Sequence, residues 1–345
     1  MRDVNPESAS FAAEVSSCLM CVACHPESPS LIAGGTYNGE VLIWQTSREE
    51  DPLVASSSIG DFTHNDCVTK VAWVPGEKAQ QWKLVSVGSD GRVLFWDPSD
   101  LSNPKSGSQL FTGCIPRHIR LNPIKQDTPL GGTCFSFSKE HKEEYHLGTD
   151  SGYLFKCNTM SATQIDLMKG SNSKASRLNN PTVFAYNAHI GPVQSISSSP
   201  HHRNLFLTCG SDGLARCYSA LQAKPVLTWE PCSHPLYAVE WSPHRSTVFA
   251  ATCGDGSVYV YDLSHSRGAP FVVLQGGSKK AVPTTCLSFN QKSSEYLATG
   301  NAKGVIKIWR LSTHLGTEGG LRERKIIDTL GSVMDTEADE GVMVS

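Results

Sequence analysis

An all-β fold built of repeated four-stranded antiparallel units, a β-propeller, is what this sequence predicts, and three observations predict it. A glycine-centred turn followed by a short strand recurs six times along the chain. Two further β-rich runs precede each copy. Candidate outer strands follow several of the copies, as in PVLTW at 225–229 and FVVLQ at 271–275. Four strands per repeat, all antiparallel, make one propeller blade.

The six copies share one pattern: Gly, four residues, then an aromatic or its equivalent. In chain order the first three are NGEVLIW (Gly39 to Trp44), DGRVLFW (Gly91 to Trp96) and SGYLFKC (Gly152 to Cys157). DGLARCY (Gly213 to Tyr218), DGSVYVY (Gly256 to Tyr261) and KGVIKIW (Gly304 to Trp309) follow. The glycines are 52, 61, 61, 43 and 48 residues apart, so the longer intervals hold loop insertions. An Asp-Gly or Asn-Gly pair supplies the positive φ of a tight hairpin turn. Residues after it alternate, with Val41 and Ile43 against Leu42 and Trp44, so they make a strand. The run before each turn (LIAGGT, KLVSVGS, EYHLGT, LFLTCGS, VFAATCG, YLATGN) is the preceding strand. Another before that (LMCVACHP, VTKVAWVP, TCFSFS, VQSISSSP, YAVEWSP, TCLSFN) is the first strand of the blade.

The order His, Ser or Thr, Asp-Gly, then aromatic resembles the WD40 repeat. His64, Ser86, Asp90 and Trp96 fit it, as do His189, Thr208, Asp212 and Tyr218, with Tyr in place of Trp. The resemblance implies that each set forms a hydrogen-bonded chain bracing a blade. These residues are therefore read as scaffold and not as a Ser/His/Asp catalytic triad. The other blades lack the full set.

A narrower resemblance rests on HPESPSLIAGGTYNGEVLIW (His25 to Trp44), on residues 66–97 and on YAVEWSPHRSTVFAATCGDGSVYVYDL (237–263). These segments resemble the dynein intermediate chains, most of all those of the dynein-2 type. The resemblance implies a non-catalytic subunit that scaffolds a dynein heavy chain, with other dynein-2 subunits as partners, for retrograde intraflagellar transport and cilium assembly. It implies a place in the cytoplasm, the cilium, the basal body or centrosome and the microtubule cytoskeleton. That family has seven blades and a long N-terminal extension that binds light chains. Six blades are counted here and nothing resembles the extension, so light-chain binding is not carried over. The rival reading is a WD40 adaptor such as a ubiquitin-ligase substrate receptor. Those receptors often carry Trp-Asp-x-Arg after a blade, and Trp96-Asp97-Pro98-Ser99 and Trp309-Arg310-Leu311 both depart from it.

Composition narrows the remaining classes. The net charge of −3 gives no basic field for nucleic acid or an acidic membrane surface. No run of 18 or more apolar residues predicts a membrane span, and residues 1–17 lack the basic and apolar regions of a secretory signal. Most of the 12 cysteines sit in apolar strand-like runs, so all are expected to be reduced, unligated thiols, with no metal and no cofactor. Cys21-Val-Ala-Cys24-His25 matches a haem-attachment motif. Strand alternation turns Cys21 away from Cys18 and Cys24, which argues against a cluster. No phosphate loop and no acid–base carboxylate pair is legible.

The expected organisation is an N-terminal segment at 1–15, a propeller at 16–312 and a mostly disordered acidic tail at 313–345. The last blade needs an outer strand, for which Phe11–Val15 and residues 324–330 (RKIIDTL) are the candidates. Residues 97–131 and 166–181 are read as long connections.

Overall fold

The computed structural model describes residues 12–332 apart from 49, 59, 61, 77–80, 117–127, 165–177, 276–280 and 318. It is almost wholly β. The chain divides into two compact units, Met1–Thr133 with Asn158–Pro181, and Cys134–Cys157 with Thr182–Ser345.

The first unit holds two blades. Blade 1 runs Leu19–Cys24, Leu31–Thr36, Val41–Gln45 and Leu53–Ser56, each strand beside the next. Blade 2 runs Val68–Pro75, Trp82–Gly88, Arg92–Trp96 and Ser106–Gln109. A fifth, two-residue strand, Thr163–Gln164, extends its outer edge. The core of this unit joins Ile43 and Val41 to Val71, Leu84, Leu94 and Trp96.

The second unit holds four sheets. Blade 3 is Gly132–Phe137, Glu144–Thr149, Leu154–Asn158 and Thr182–Tyr186, its first and third strands straddling the unit boundary. Blade 4 is Val193–Ser198, Leu205–Gly210, Ala215–Ser219 and Pro225–Trp229. Blade 5 is Leu236–Trp241, Val248–Cys253, Val258–Asp262 and Val272–Leu274. Sheet 6 has three strands among the described residues, Thr284–Phe289, Tyr296–Asn301 and Ile306–Arg310.

Burial follows strand position. The second strands of blades 4 and 5, LFLTCG and VFAATC, are buried at every residue, because both faces of a central strand meet packed side chains. The outer strand of blade 1, LVAS, is mostly exposed. Each fully buried Leu, Val or Ile contributes about 1.5–3 kcal/mol relative to the same side chain in water. The first strand repeats one irregularity: register shifts lie between Leu19 and Cys21, Val68 and Lys70, Val193 and Ser195, Leu236 and Ala238, and Thr284 and Cys286. A bulge at this point bends the entering chain toward the turn that follows the second strand.

Gly39, Gly91, Gly152, Gly213, Gly256 and Gly304 each lie between the second and third strands, with φ between 74° and 91°. At Gly91 a Cβ would also stand 2.6 Å from the Leu130 carbonyl oxygen, so conformation and space both require glycine there.

Two expectations about closure need correction. Residues 324–330 are not a strand: Leu321–Gly331 is a helix. Glu323, Ile327, Leu330 and Gly331 are its buried residues, spaced at the helical period and not at the alternation of a strand. Ile327 and Leu330 pack into the core that holds Trp229, Trp241 and Tyr261. The segment at 313–345 is accordingly helical at Thr313–Gly316 and Leu321–Gly331, and its part beyond 332 lies outside the described residues. Residues 12–15 form no strand, and Phe11 lies outside the described residues.

The helix is held by a buried ion network. Arg245 is 5% exposed. Its Nε donates to both Glu323 carboxylate oxygens at 3.1 and 3.2 Å, and its Nη2 lies 3.0 Å from Asp262 Oδ2. Nη2 also donates to Ser264 Oγ, and Nη1 to the His314 carbonyl. Thr247 Oγ1 lies 3.0 Å from Asp262 Oδ1 and 3.2 Å from Glu323 Oε2. Burial pushes the Asp262 carboxyl up, but hydrogen bonds from Ser264 and the Arg245 charge outweigh it and hold it below the usual range. Breaking such a network from one side is more damaging than never having built it. Glu323→Ala should therefore lower stability by about 3 kcal/mol in urea unfolding and speed amide exchange along Leu321–Gly331. An unchanged unfolding midpoint would contradict this role for Glu323.

Candidate functional site

The residues with catalytic-looking chemistry are drawn together at the turn between the second and third strands of blades 2 and 4. In blade 2, Trp96 Nε1 donates to Ser86 Oγ at 2.8 Å, and Ser86 Oγ lies 2.7 Å from His64 Nε2. His64 Nδ1 lies 3.1 Å from Asp90 Oδ1. A carboxylate only accepts, so the proton is on Nδ1 and Nε2 accepts from the serine hydroxyl. All donors then point one way, from indole to carboxylate. Asp90 also accepts from the backbone N–H groups of Asn65 and Arg92, each at 3.0 Å. Burial pushes the Asp90 carboxyl up, but the His64 bond and charge and those two N–H donors outweigh it, so it stays below the usual carboxylate range. The serine oxygen is saturated and the histidine side chain has no exposure, so this arrangement offers no free nucleophile.

Blade 4 repeats three members. His189 Nδ1 lies 3.0 Å from both Asp212 oxygens and its Nε2 lies 2.8 Å from Thr208 Oγ1. Asp212 accepts from Ile190 and Leu214 N–H, each at 3.2 Å. Tyr218 does not reach Thr208. Its hydroxyl donates to the Asn187 carbonyl at 2.7 Å, and its ring stacks on Phe206 at 5.3 Å. Burial pushes the His189 imidazole down despite Asp212.

Two arginines that sequence reasoning passed over complete these sites. Arg92 Nε lies 3.7 Å from Asp90 Oδ2 and its Nη1 donates to the Thr63 carbonyl. Arg216 Nη2 lies 3.3 Å from Asp212 Oδ2 and its Nη1 donates to the Ala188 carbonyl. The available signal was spacing: two and four residues after the turn Asp, at even offsets along a strand, each arginine shares that Asp's side.

The cysteines depart from expectation. The structure brings the Cys232 and Cys253 sulfurs together, with their Cα atoms 7.6 Å apart, which departs from the reading of all 12 as separate thiols. Their sulfurs and the Asp255 carboxylate also form a group compact enough for a metal, with ligand atoms within 4.8 Å of one another. The other ten cysteines stand outside this pair. Cys21 Sγ lies 3.5 Å from the Val68 carbonyl and burial pushes its thiol up to about 12, while Cys18 and Cys24 are exposed. His25 Nδ1 accepts from the Glu27 and Ser28 N–H groups, and its ring meets Trp73 edge-on at 4.7 Å.

One buried histidine stands outside the braces. His146, in blade 3, stacks on Phe206 at 3.9 Å, and neither ring nitrogen has a hydrogen-bond partner among the described residues. Burial, with a smaller push from Lys156, lowers its imidazole to about 3.

Two outcomes follow from these geometries. Asp90→Ala strips His64, Asn65 and Arg92 of their shared acceptor and should destabilise by about 1–3 kcal/mol in chemical unfolding. A change indistinguishable from zero would count against it. For His146, the unfolded chain binds a proton near pH 6.5 that the folded chain refuses until about pH 3. Stability should thus fall as pH drops through that window, by about 1.4 kcal/mol per pH unit for this group. His146→Phe should flatten the slope between about pH 6 and pH 4.5. An identical slope would show that His146 does not set it.

The WD domain, G-beta repeat family matches residues 56–97, 180–219 and 223–262, the segments that hold the first three strands of blades 2, 4 and 5. Over 340 residues the chain is 40% identical to cytoplasmic dynein 2 intermediate chain 2 of Mus musculus, covering 96% of this chain and 62% of that protein. The Homo sapiens protein of the same name is 38% identical over 96% of this chain. The 78 kDa intermediate chain of the Chlamydomonas reinhardtii flagellar outer arm is 27% identical over 90% of this chain and 43% of its own length. The chain thus spans somewhat under two thirds of the dynein 2 relatives it matches. It carries WD40 repeats and is similar along nearly all of its own length to dynein intermediate chains, those of dynein 2 among them.

Proposed function

We propose that this chain is a non-catalytic intermediate chain of a dynein-2-like motor, scaffolding the heavy chain for microtubule-based transport in the cilium. The observation that carries the reading is 38–40% identity, over 96% of the chain, to proteins named as dynein 2 intermediate chains. The chemistry of the sites supports it. In blade 2 the His, Ser and Asp side chains are spent on one another and on backbone groups, a use that serves rigidity. A rigid blade presents loops and sheet faces to partners.

Such faces are present in each unit. In the first, Met20 and Val22 on the first strand of blade 1 are 47% and 59% exposed. In the second, Ile306 and Ile308 on the third strand of sheet 6 are 75% and 56% exposed. Grouped apolar exposure of this kind marks protein-binding surface. We take residues 16–312 as the working domain and His64, Ser86, Asp90, Trp96, His189, Thr208 and Asp212 as its braces, with Tyr218 in a packing role. Heavy chain and other dynein-2 subunits are the proposed partners, at the cilium and its base.

Affinity capture of the tagged chain from ciliated cells, with mass spectrometry of what accompanies it, should recover a ciliary-type dynein heavy chain. Recovery of a ubiquitin ligase scaffold without heavy chain would replace this reading with that of a WD40 adaptor.

A further inference from the structure

We propose that Cys232 and Cys253 form a reversible dithiol–disulfide brace, which takes in blade 5 the place that the His–Asp brace takes in blades 2 and 4. The repeated bulge supplies the alignment. Its first residue pairs Val68 with Gly88, Val193 with Gly210 and Leu236 with Cys253. Four residues before those strand positions stand His64, His189 and Cys232. Two residues after their partners stand Asp90, Asp212 and Asp255, and four before each Asp stand Ser86, Thr208 and Ala251. Blade 5 therefore keeps the turn Asp and changes the other three positions together: His to Cys, hydroxyl to Ala, Gly to Cys.

The changes are physically linked. A Cβ at Gly88 would stand 2.6 Å from His64 Nδ1 and 2.7 Å from Asp90 Oδ1. One at Gly210 would stand 2.8 Å from His189 Nδ1 and 2.9 Å from Asp212 Oδ1. An imidazole at the first position thus excludes any side chain at the second. Blade 5 gives up the ring and fills its space from both sides with sulfur, and the two sulfurs meet. Ala251 has no hydroxyl that a ring nitrogen would need. Asp255 is satisfied without a histidine, accepting from Ser257 N–H at 2.7 Å and Tyr259 hydroxyl at 3.0 Å. Other blades put a different side chain at the glycine position and close it locally: Thr36 Oγ1 donates to the Glu40 carbonyl, Thr149 Oγ1 to the Tyr153 carbonyl, and Asn301 Oδ1 accepts from Val305 N–H. Cys253 has no such local bond among the described residues, and its Sγ lies 3.9 Å from the His234 carbonyl.

The site also has the asymmetry that exchange chemistry needs. Cys232 is partly exposed and Cys253 fully buried. With a small-molecule disulfide such as oxidised glutathione, the Cys232 thiolate attacks one sulfur, forming a mixed disulfide and releasing one thiol. The Cys253 thiolate then attacks the Cys232 sulfur and releases the second. Two protein thiols are oxidised, the oxidant's disulfide is reduced, and the two protein protons end on the released thiols. A dithiol reductant runs the sequence backward.

The test uses the purified 345-residue chain in glutathione buffers from fully reduced to fully oxidised, with thiols trapped by alkylation before peptide mapping and with melting followed in parallel. The expected result is a Cys232–Cys253 peptide that appears with oxidation and vanishes with dithiothreitol, and a melting temperature higher by about 5 °C in the oxidised form. Cys232→Ser should abolish both. The triple variant Cys232→His, Ala251→Ser, Cys253→Gly rebuilds the hydrogen-bonded brace, so its melting should not change with redox state. Full alkylation of both cysteines in the most oxidising buffer would overturn the proposal. So would stoichiometric zinc held by the reduced chain and lost in Cys232→Ser, which would make the pair a metal site.

Discussion

In blade 2 one chain of hydrogen bonds runs from the Trp96 indole through the Ser86 hydroxyl and the His64 ring to the Asp90 carboxylate. It ties the third strand, the second strand, the approach to the first strand and the turn into one unit. Trp96, Ser86 and His64 are buried and Asp90 is mostly so, and a buried group left without its partner would carry a desolvation penalty of about 1–3 kcal/mol. The geometry depends on what is absent at Gly88, where any Cβ would strike the histidine and the aspartate. A glycine with negative φ, far less conspicuous than the turn glycine three residues later, is what admits the ring.

That constraint explains why the blades are unlike one another while sharing a register. Blade 4 keeps histidine, threonine, aspartate and glycine and moves the aromatic hydroxyl to a backbone carbonyl. Sheet 6 keeps only the other end, with Trp309 Nε1 donating to Thr299 Oγ1 at 2.9 Å. Blade 5 drops the ring and joins two sulfurs in its volume. The second unit is further fixed by a device unrelated to the repeats, the Arg245 network that seats the Leu321–Gly331 helix on the core around Trp229 and Tyr261. Rigidity in this chain is thus reached by hydrogen bonds, by a pair of apposed sulfurs and by buried charge, each at a different place.

Local chemistry was legible in the amino-acid order. The six Gly turns followed by alternating strands located every second-to-third hairpin, because a positive φ and a period of two are properties of a few adjacent residues. His64 and Asp90 could be paired because a repeat pattern fixes their separation. What escaped was long-range or depended on three-dimensional volume. The run RKIIDTL has residues for either helix or strand, and only the partner Arg245, 78 residues from Glu323, decides for the helix. Cys253 reads as one more buried thiol until the strand register places it opposite Leu236, beside the loop that carries Cys232. Arg92 and Arg216 look like ordinary exposed strand residues, yet each spends its guanidinium on the turn aspartate and a backbone carbonyl.

The central claim is that the histidine and aspartate of a blade act as one unit and not as two independent contributors. A double-mutant cycle on His189 and Asp212, read by chemical unfolding of the His189→Ala and Asp212→Ala variants and their combination, measures this directly. The expected coupling energy is at least about 1 kcal/mol, the second substitution costing far less once the first is made. Additivity to within about 0.3–0.5 kcal/mol would contradict it, leaving the 3.0 Å contact between them without energetic weight.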